Sequence, residues 1–130
     1  MRRPVEGLRP FLDQSLLAPM RERGAGAVVF TLGSSALAPT PMMAQVGIAL
    51  SGLRHHLIGL AGEVTDRGVH VAVAVIGGLI LGSDLQRTWV PDANAGFPGA
   101  LDPSDIAVTI DELVASGDVE RRIGPYAQGH

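Results

Sequence analysis

Residues 41–78 read PMMAQVGIALSGLRHHLIGLAGEVTDRGVHVAVAVIGG, and this stretch decides the fold. Val46, Leu50, Leu53, Leu57, Leu60 and Val64 follow steps of three and four, which is the spacing of one helical face. Thr40 offers an N-cap and Pro41 a first helical residue, so a helix is expected over about 42–67. Gly68 is its C-terminal stop. The next eight residues, VHVAVAVI (Val69–Ile76), are almost continuously apolar. Such a run suits a strand covered on both faces, as in a parallel sheet. Gly77-Gly78 ends it. Ala49, Ser51, Gly52, Gly59 and Gly62 punctuate the helix. Each helical glycine costs about 1 kcal/mol against alanine, and the expected compensation is close approach of another backbone.

Upstream, Leu8, Phe11, Leu12, Leu16 and Met20 have helical spacing, predicting a helix over about 8–23 that Pro19 bends or shortens. Gly24–Gly26 stops it, and AVVFTL predicts a buried strand over 27–32. GSSALAPTP then forms a loop. Downstream, residues 82–101 are rich in Gly, Pro, Asp and Asn and carry Trp89 and Phe97. They read as a long, lid-like irregular loop. Asp102-Pro103 opens a helix over 103–116, with Ile106, Ala107, Ile110, Leu113 and Val114 on its buried face and Gly117 as its stop. Residues 118–130 read as a patternless tail. The class is α/β, a single domain over 1–130, with parallel strands at about 27–32 and 69–76 joined by a right-handed crossover. Two strands alone make a poor sheet, since each keeps an open edge.

Composition removes several chemistries. All ten basic residues are arginine, against 13 acidic ones, for a net charge of -3. That balance argues against a nucleic-acid binder. Lysine and cysteine are absent, which excludes Schiff-base chemistry, a P-loop lysine, thiol nucleophiles and cysteine-ligated metals. The N-terminus has no apolar core of a signal peptide, and the apolar run 69–81 is shorter than a membrane span, so a cytoplasmic protein off the membrane is expected. His55 and His56 are adjacent, which places them on different helical faces and predicts no metal site there. His70 reads as a satisfied or outward-facing strand histidine. Asp102 and Asp105 read as capping charges. Trp89 and Phe97 either line an apolar pocket or pin the loop.

LLAPMRERGAGAVVFTLGSS (16–35), PMMAQVGIALSGLRHHLIGLAGEVTDRGVHVAVAVIGG (41–78) and DPSDIA (102–107), in this order and spacing, resemble the C-terminal half of a short-chain dehydrogenase/reductase. The resemblance implies a partial Rossmann-like fold, an oxidoreductase lineage and NAD(P) as cofactor. In that family the long helix bears Tyr-x-x-x-Lys, the tyrosine acting as acid/base and the lysine lowering its pKa and holding the nicotinamide ribose. Aligning ALSGLR with the family's SKAALR puts Val46 at the tyrosine position and Leu50 at the lysine position. Neither transfers a proton. The one tyrosine, Tyr126, lies far along the chain. The family's serine falls on Gly33 or Ser34, with Ser34 the better candidate for holding a substrate carbonyl; its alternative is a turn serine. Gly77 matches the glycine of the family's nicotinamide-contacting Pro-Gly turn. The dinucleotide fingerprint is missing, because Gly24–Gly26 precedes a strand instead of following one.

The resemblance thus implies a truncated or reduced member, or a fragment, that binds NAD(P) weakly or not at all alone and is not a competent enzyme by itself. Two other readings stand beside it. One is an interaction module, a homodimer or a partner of a full-length relative, formed through helices 8–23 and 42–67 as in the family's four-helix bundle. The other is a small-molecule binder closed by the 82–101 loop.

Overall fold

The computed structural model describes residues 15–128. A short helix α1 (Ala18–Arg23) leads into strand β1 (Gly26–Gly33). A 3-10 turn (Ser34–Ala36) and a loop then reach the long helix α2 (Ala44–Val64). After a second 3-10 turn (Thr65–Arg67) come β2 (Val69–Ile76), β3 (Leu79–Ile80), α3 (Asp84–Trp89), β4 (Ala100–Leu101) and α4 (Pro103–Ser116). Strand β5 (Glu120–Ile123) and a last 3-10 turn (Pro125–Ala127) complete the order.

The main sheet runs β1-β2-β5, parallel throughout, and β3 and β4 form a separate parallel pair. It is a partial Rossmann-like α/β arrangement. The central strand explains the two layers. Val69, Val71, Val73 and Val75 point to one face and join Leu53, Leu57, Leu60 and Val64 of α2, with Leu17, in one core. Ala72 and Ala74 point the other way and meet Leu113 of α4. Valines thus fill the gap to the long helix, while alanines leave room for α4. Each fully buried valine or leucine contributes roughly 1.5–3 kcal/mol.

Several expectations change. Of the helix expected over 8–23, residues 8–14 lie outside the described residues. A π-type turn at 15–17 precedes α1, and Pro19 stands in the first turn of α1, where its missing N–H costs no helical bond. Leu17 is the fully buried residue of this segment. The long helix starts later than expected. Met43 occupies its N-cap position without a side-chain cap, and Met42 has φ 68°. Thr40 therefore does not cap it; the Ser35 hydroxyl donates to the Thr40 hydroxyl at 3.5 Å instead. The expected helix over 42–67 thus becomes 44–64 followed by the 3-10 turn 65–67. Gly68 then turns left-handed (φ 78°), where a Cβ would strike the Gly24 carbonyl, so only glycine closes this corner. The 82–101 segment is not irregular throughout, because it holds α3 and β4. The tail is not patternless either, because β5 pairs in parallel along Val73–Ile76 and closes one edge of β2.

Candidate functional site

In open parallel sheets, ligands bind in the crevice beyond the carboxyl ends of the strands. Here a cleft of about 290 Å³ opens at that place, lined by Thr31, Leu32 and Gly33 of β1, Ile76 at the end of β2 and Gly78 after it, and Ile80, Ser83 and Leu85. A second cleft, of about 410 Å³, lies at the N-terminal end of α2, where Leu37, Pro39, Met43 and Ile48 face the hydroxyls of Ser35 and Thr40. Ser34 heads the turn between them, with Gly33 on the rim of the first cleft and Ser35 on that of the second. The Ser34 carbonyl accepts the Leu37 and Ala38 amides (2.9 and 3.3 Å), while its hydroxyl is left without a partner among the described residues.

Helix α2 stands beside the end of β1. The Leu50 Cδ1 lies 3.9 Å from the point that a Cβ on Gly33 would occupy. Val46, one turn before it, is 44% exposed. The side chain beside the strand end, Leu50, therefore presents hydrocarbon. The residues lining the first cleft include no carboxylate, imidazole, phenol or cation; the polar side chains on its wall are the hydroxyls of Thr31 and Ser83, the latter engaged with the Ile80 carbonyl and the Gln86 amide.

Gly77 is held on every side. Its amide donates to the Ile123 carbonyl at 2.8 Å, and its carbonyl accepts the Tyr126 amide at 2.9 Å. A Cβ there would run into the backbone of Tyr126 and Ala127. The residue is buried, both its backbone groups are committed, and packing alone requires a glycine. The glycines after β2 lead into β3 and not into a helix N-terminus, so no phosphate cradle forms there.

Trp89 (72% exposed) and Phe97 (38%) stand at the surface and line neither cleft; Leu85 does so instead. The segment is organised by a buried amide that the sequence reading passed over. Gln86 Oε1 accepts the Gly82 amide at 2.9 Å, and its Nε2 donates to the Val90 carbonyl at 2.9 Å. Ser83 caps α3 by accepting the Gln86 amide at 3.1 Å. The signal was present as Ser83-x-x-Gln86, a capping-box spacing.

A second missed group ties the last strand to α2. The Glu120 carboxylate accepts from Arg54 Nε at 2.6 Å and from Arg122 Nε at 2.9 Å. Burial pushes the Glu120 pKa up, but hydrogen bonds and charge from both arginines outweigh it, and the carboxyl rests below its ordinary 4.5. Arg121, on the opposite face of β5, reaches Glu112 of α4 at 3.4 Å and Asp118 at 3.2 Å.

The other candidates resolve simply. His70 Nε2 sits 2.6 Å from the Asp118 carbonyl, a satisfied structural histidine. His55 and His56 both border one shallow hollow of about 220 Å³ with Glu63, since adjacent residues can flank a single groove of a helix. No group of three metal-binding side chains occurs among the described residues. Asp102 caps α4 by accepting the Ser104 amide at 2.8 Å, and Asp105 lies in the first turn. No described helix is long and apolar enough to cross a membrane.

No family model and no curated protein matches the chain. Solved structures do. A short-chain dehydrogenase from Streptomyces avermitilis is similar at TM-score 0.71 and 22% identity, covering 89% of this chain and 48% of that one. This chain carries the fold of part of a short-chain dehydrogenase. A short-chain dehydrogenase/reductase family protein is similar at TM-score 0.73 and 22% identity (92% and 52% covered). A short-chain dehydrogenase from Burkholderia cenocepacia, solved in complex with NADP, is similar at TM-score 0.69 and 19% identity (88% and 44% covered). The chain thus spans about half the length of the dehydrogenases it resembles.

Proposed function

We propose that this chain is a short-chain dehydrogenase-like protein whose proton relay is gone, so that alone it transfers no hydride and works as a scaffold. The observation behind this reading is the pair Val46 and Leu50. The resemblance assigns them to the acid/base tyrosine and its lysine; Leu50 stands beside the end of β1, whose Gly33 lines a cleft without a titratable side chain, and Val46 is partly exposed one turn earlier. In this reading Ser34 is a leftover of a substrate-positioning serine, NAD(P) binds weakly or not at all, and the protein works in the cytoplasm.

The test is direct. The purified 130-residue chain is mixed with NADPH or NADH and a panel of aldehydes and ketones, and nicotinamide absorbance is followed. No turnover is expected. The variant V46Y/L50K is expected to stay inactive as well, because the described residues provide no dinucleotide cradle. Turnover by the unaltered chain would refute the reading.

One observation favours a second role, pairing through α2 with a copy of this chain or a full-length relative. Gly52, Gly59 and Gly62 have open space where a Cβ would stand, and Ile48, at 75% exposure, lies on the same stripe. Small residues on one helical stripe allow two helices to approach closely. Gly59→Leu should abolish self-association in sedimentation without lowering the melting temperature. A wild-type monomer at micromolar concentration would rule out self-pairing.

A further inference from the structure

The chain has no cysteine, so its thioethers are the sulfur atoms open to mild oxidation. Three of the four methionines lie among the described residues, and their surroundings differ. Met20 is half-buried and packs against the core beneath α2; a Cβ on Gly26 would stand 2.6 Å from its sulfur. Met42 is fully exposed, and its φ of 68° places it in the left-handed region that a side chain disfavours. Met43 is 41% exposed. Access of a dissolved oxidant therefore falls in the order Met42, Met43, Met20.

Met43 carries structure that Met42 does not. Its amide donates to the Thr40 carbonyl at 3.1 Å, and its carbonyl accepts the Gly47 amide at 2.8 Å, the bond that opens α2. Its side chain lines the cleft of about 410 Å³ beside Leu37, Pro39 and Ile48. No side-chain cap holds this end of the helix in place. A sulfoxide is strongly polar, and against that hydrocarbon wall it gains by turning to water. Oxidation of Met43 thus pulls on the first turn of α2, whereas oxidation of Met42 changes a side chain already in solvent.

We propose that Met42-Met43 is a peroxide-sensitive modification site, in which Met42 is a silent scavenger and Met43 loosens the start of α2 and with it one wall of the cleft. In the reaction the thioether sulfur attacks one oxygen of hydrogen peroxide, and the O–O bond breaks. The sulfur is oxidised by two electrons and keeps that oxygen as the sulfoxide; the other oxygen leaves as water with both protons. The site goes beyond the scaffold reading and does not depend on how Val46 and Leu50 are read.

The test treats the full chain with hydrogen peroxide and follows each sulfoxide by peptide mass spectrometry. Met42 should oxidise at least about tenfold faster than Met20, with Met43 between them. While Met20 is still reduced, the Gly47 amide of the oxidised chain should exchange at least about fivefold faster, and the β2 amides should keep their rates. Methionine sulfoxide reductase should restore the slow rate. Met43→Leu should abolish the change, and Met42→Leu should retain it. The proposal is overturned if Met20 oxidises as fast as Met42, if Gly47 exchange is unchanged once Met43 is oxidised, or if β2 speeds up equally. A change that survives Met43→Leu overturns it as well.

Discussion

Strands β1 and β2 have eight residues each and both carry an apolar run, Val28–Phe30 in one and Val71–Val75 in the other, yet they live in different surroundings. In β2, Val71 to Val75 are at most 1% exposed. In β1 only Leu32 is buried, while Ala27, Thr31 and Gly33 face solvent. What separates them is position. β2 has a strand on either side, α2 over one face and α4 over the other; β1 has one neighbouring strand among the described residues. Burial of a strand is thus a property of its place in the sheet more than of its composition.

The sharpest way to break this comparison is the same substitution in both strands. Val73→Asp puts an unpaired carboxylate into the core and should cost about 4 kcal/mol or more, enough to unfold the chain. Val29→Asp, in the half-open strand, should cost less than half of that. Urea denaturation followed by circular dichroism measures both, and equal losses would contradict the edge assignment. Next comes the corner where β2 ends. Gly77→Ala drives a methyl group into the Tyr126–Ala127 backbone and should cost roughly 1–3 kcal/mol by overpacking. It should also speed amide exchange in Glu120–Ile123.

The Arg54–Glu120–Arg122 cluster tests how firmly the second edge of β2 is closed. Glu120→Gln should cost about 1 kcal/mol at neutral pH, since these are charge-assisted bonds at a partly solvated site. The pH dependence has a definite sign. The folded-state pKa of Glu120 lies below 4.5, so its contribution is complete above the unfolded value and fades as pH falls through the folded one. The wild type should lose this stability below about pH 4.5, and Glu120→Gln should lack that component. The smallest effect is expected at Thr31→Lys on the open strand, within about 0.5 kcal/mol. A larger loss in the isolated chain would mean that the edge is already covered.

Legibility followed the strength of local patterns. The strand Val69–Ile76 and the helix Pro103–Ser116 match their expected bounds. A nearly continuous apolar run rich in β-branched residues and an Asp-Pro start with a glycine stop leave little local choice. The start of α2 was misread because Thr40-Pro41 is a helix-opening pair by residue type, while the chain instead makes a turn through Met42 before Met43. Strand β5 was invisible because ERRI has no apolar alternation. Its charges are satisfied by Arg54 on one face and Glu112 on the other, partners 66 and 9 residues away. The candidate site was legible only in part. Gly77 is a candidate cofactor contact by resemblance, and contacts with Ile123, Tyr126 and Ala127 independently require a glycine there.

What the residues determined unaided is the parallel α/β core, because apolar spacing within one helix and one strand already says which faces must leave water. The same residues place aliphatic side chains at Val46 and Leu50 and exclude lysine and thiol chemistry, since a missing functional group needs no geometry to be missing. Only the tertiary structure decided that β5 closes one edge of β2, that Gly77 is locked by the final turn, and that β1 is half-open among the described residues. Those outcomes depend on contacts between segments distant in sequence, and no local pattern encodes which neighbour a strand edge will meet.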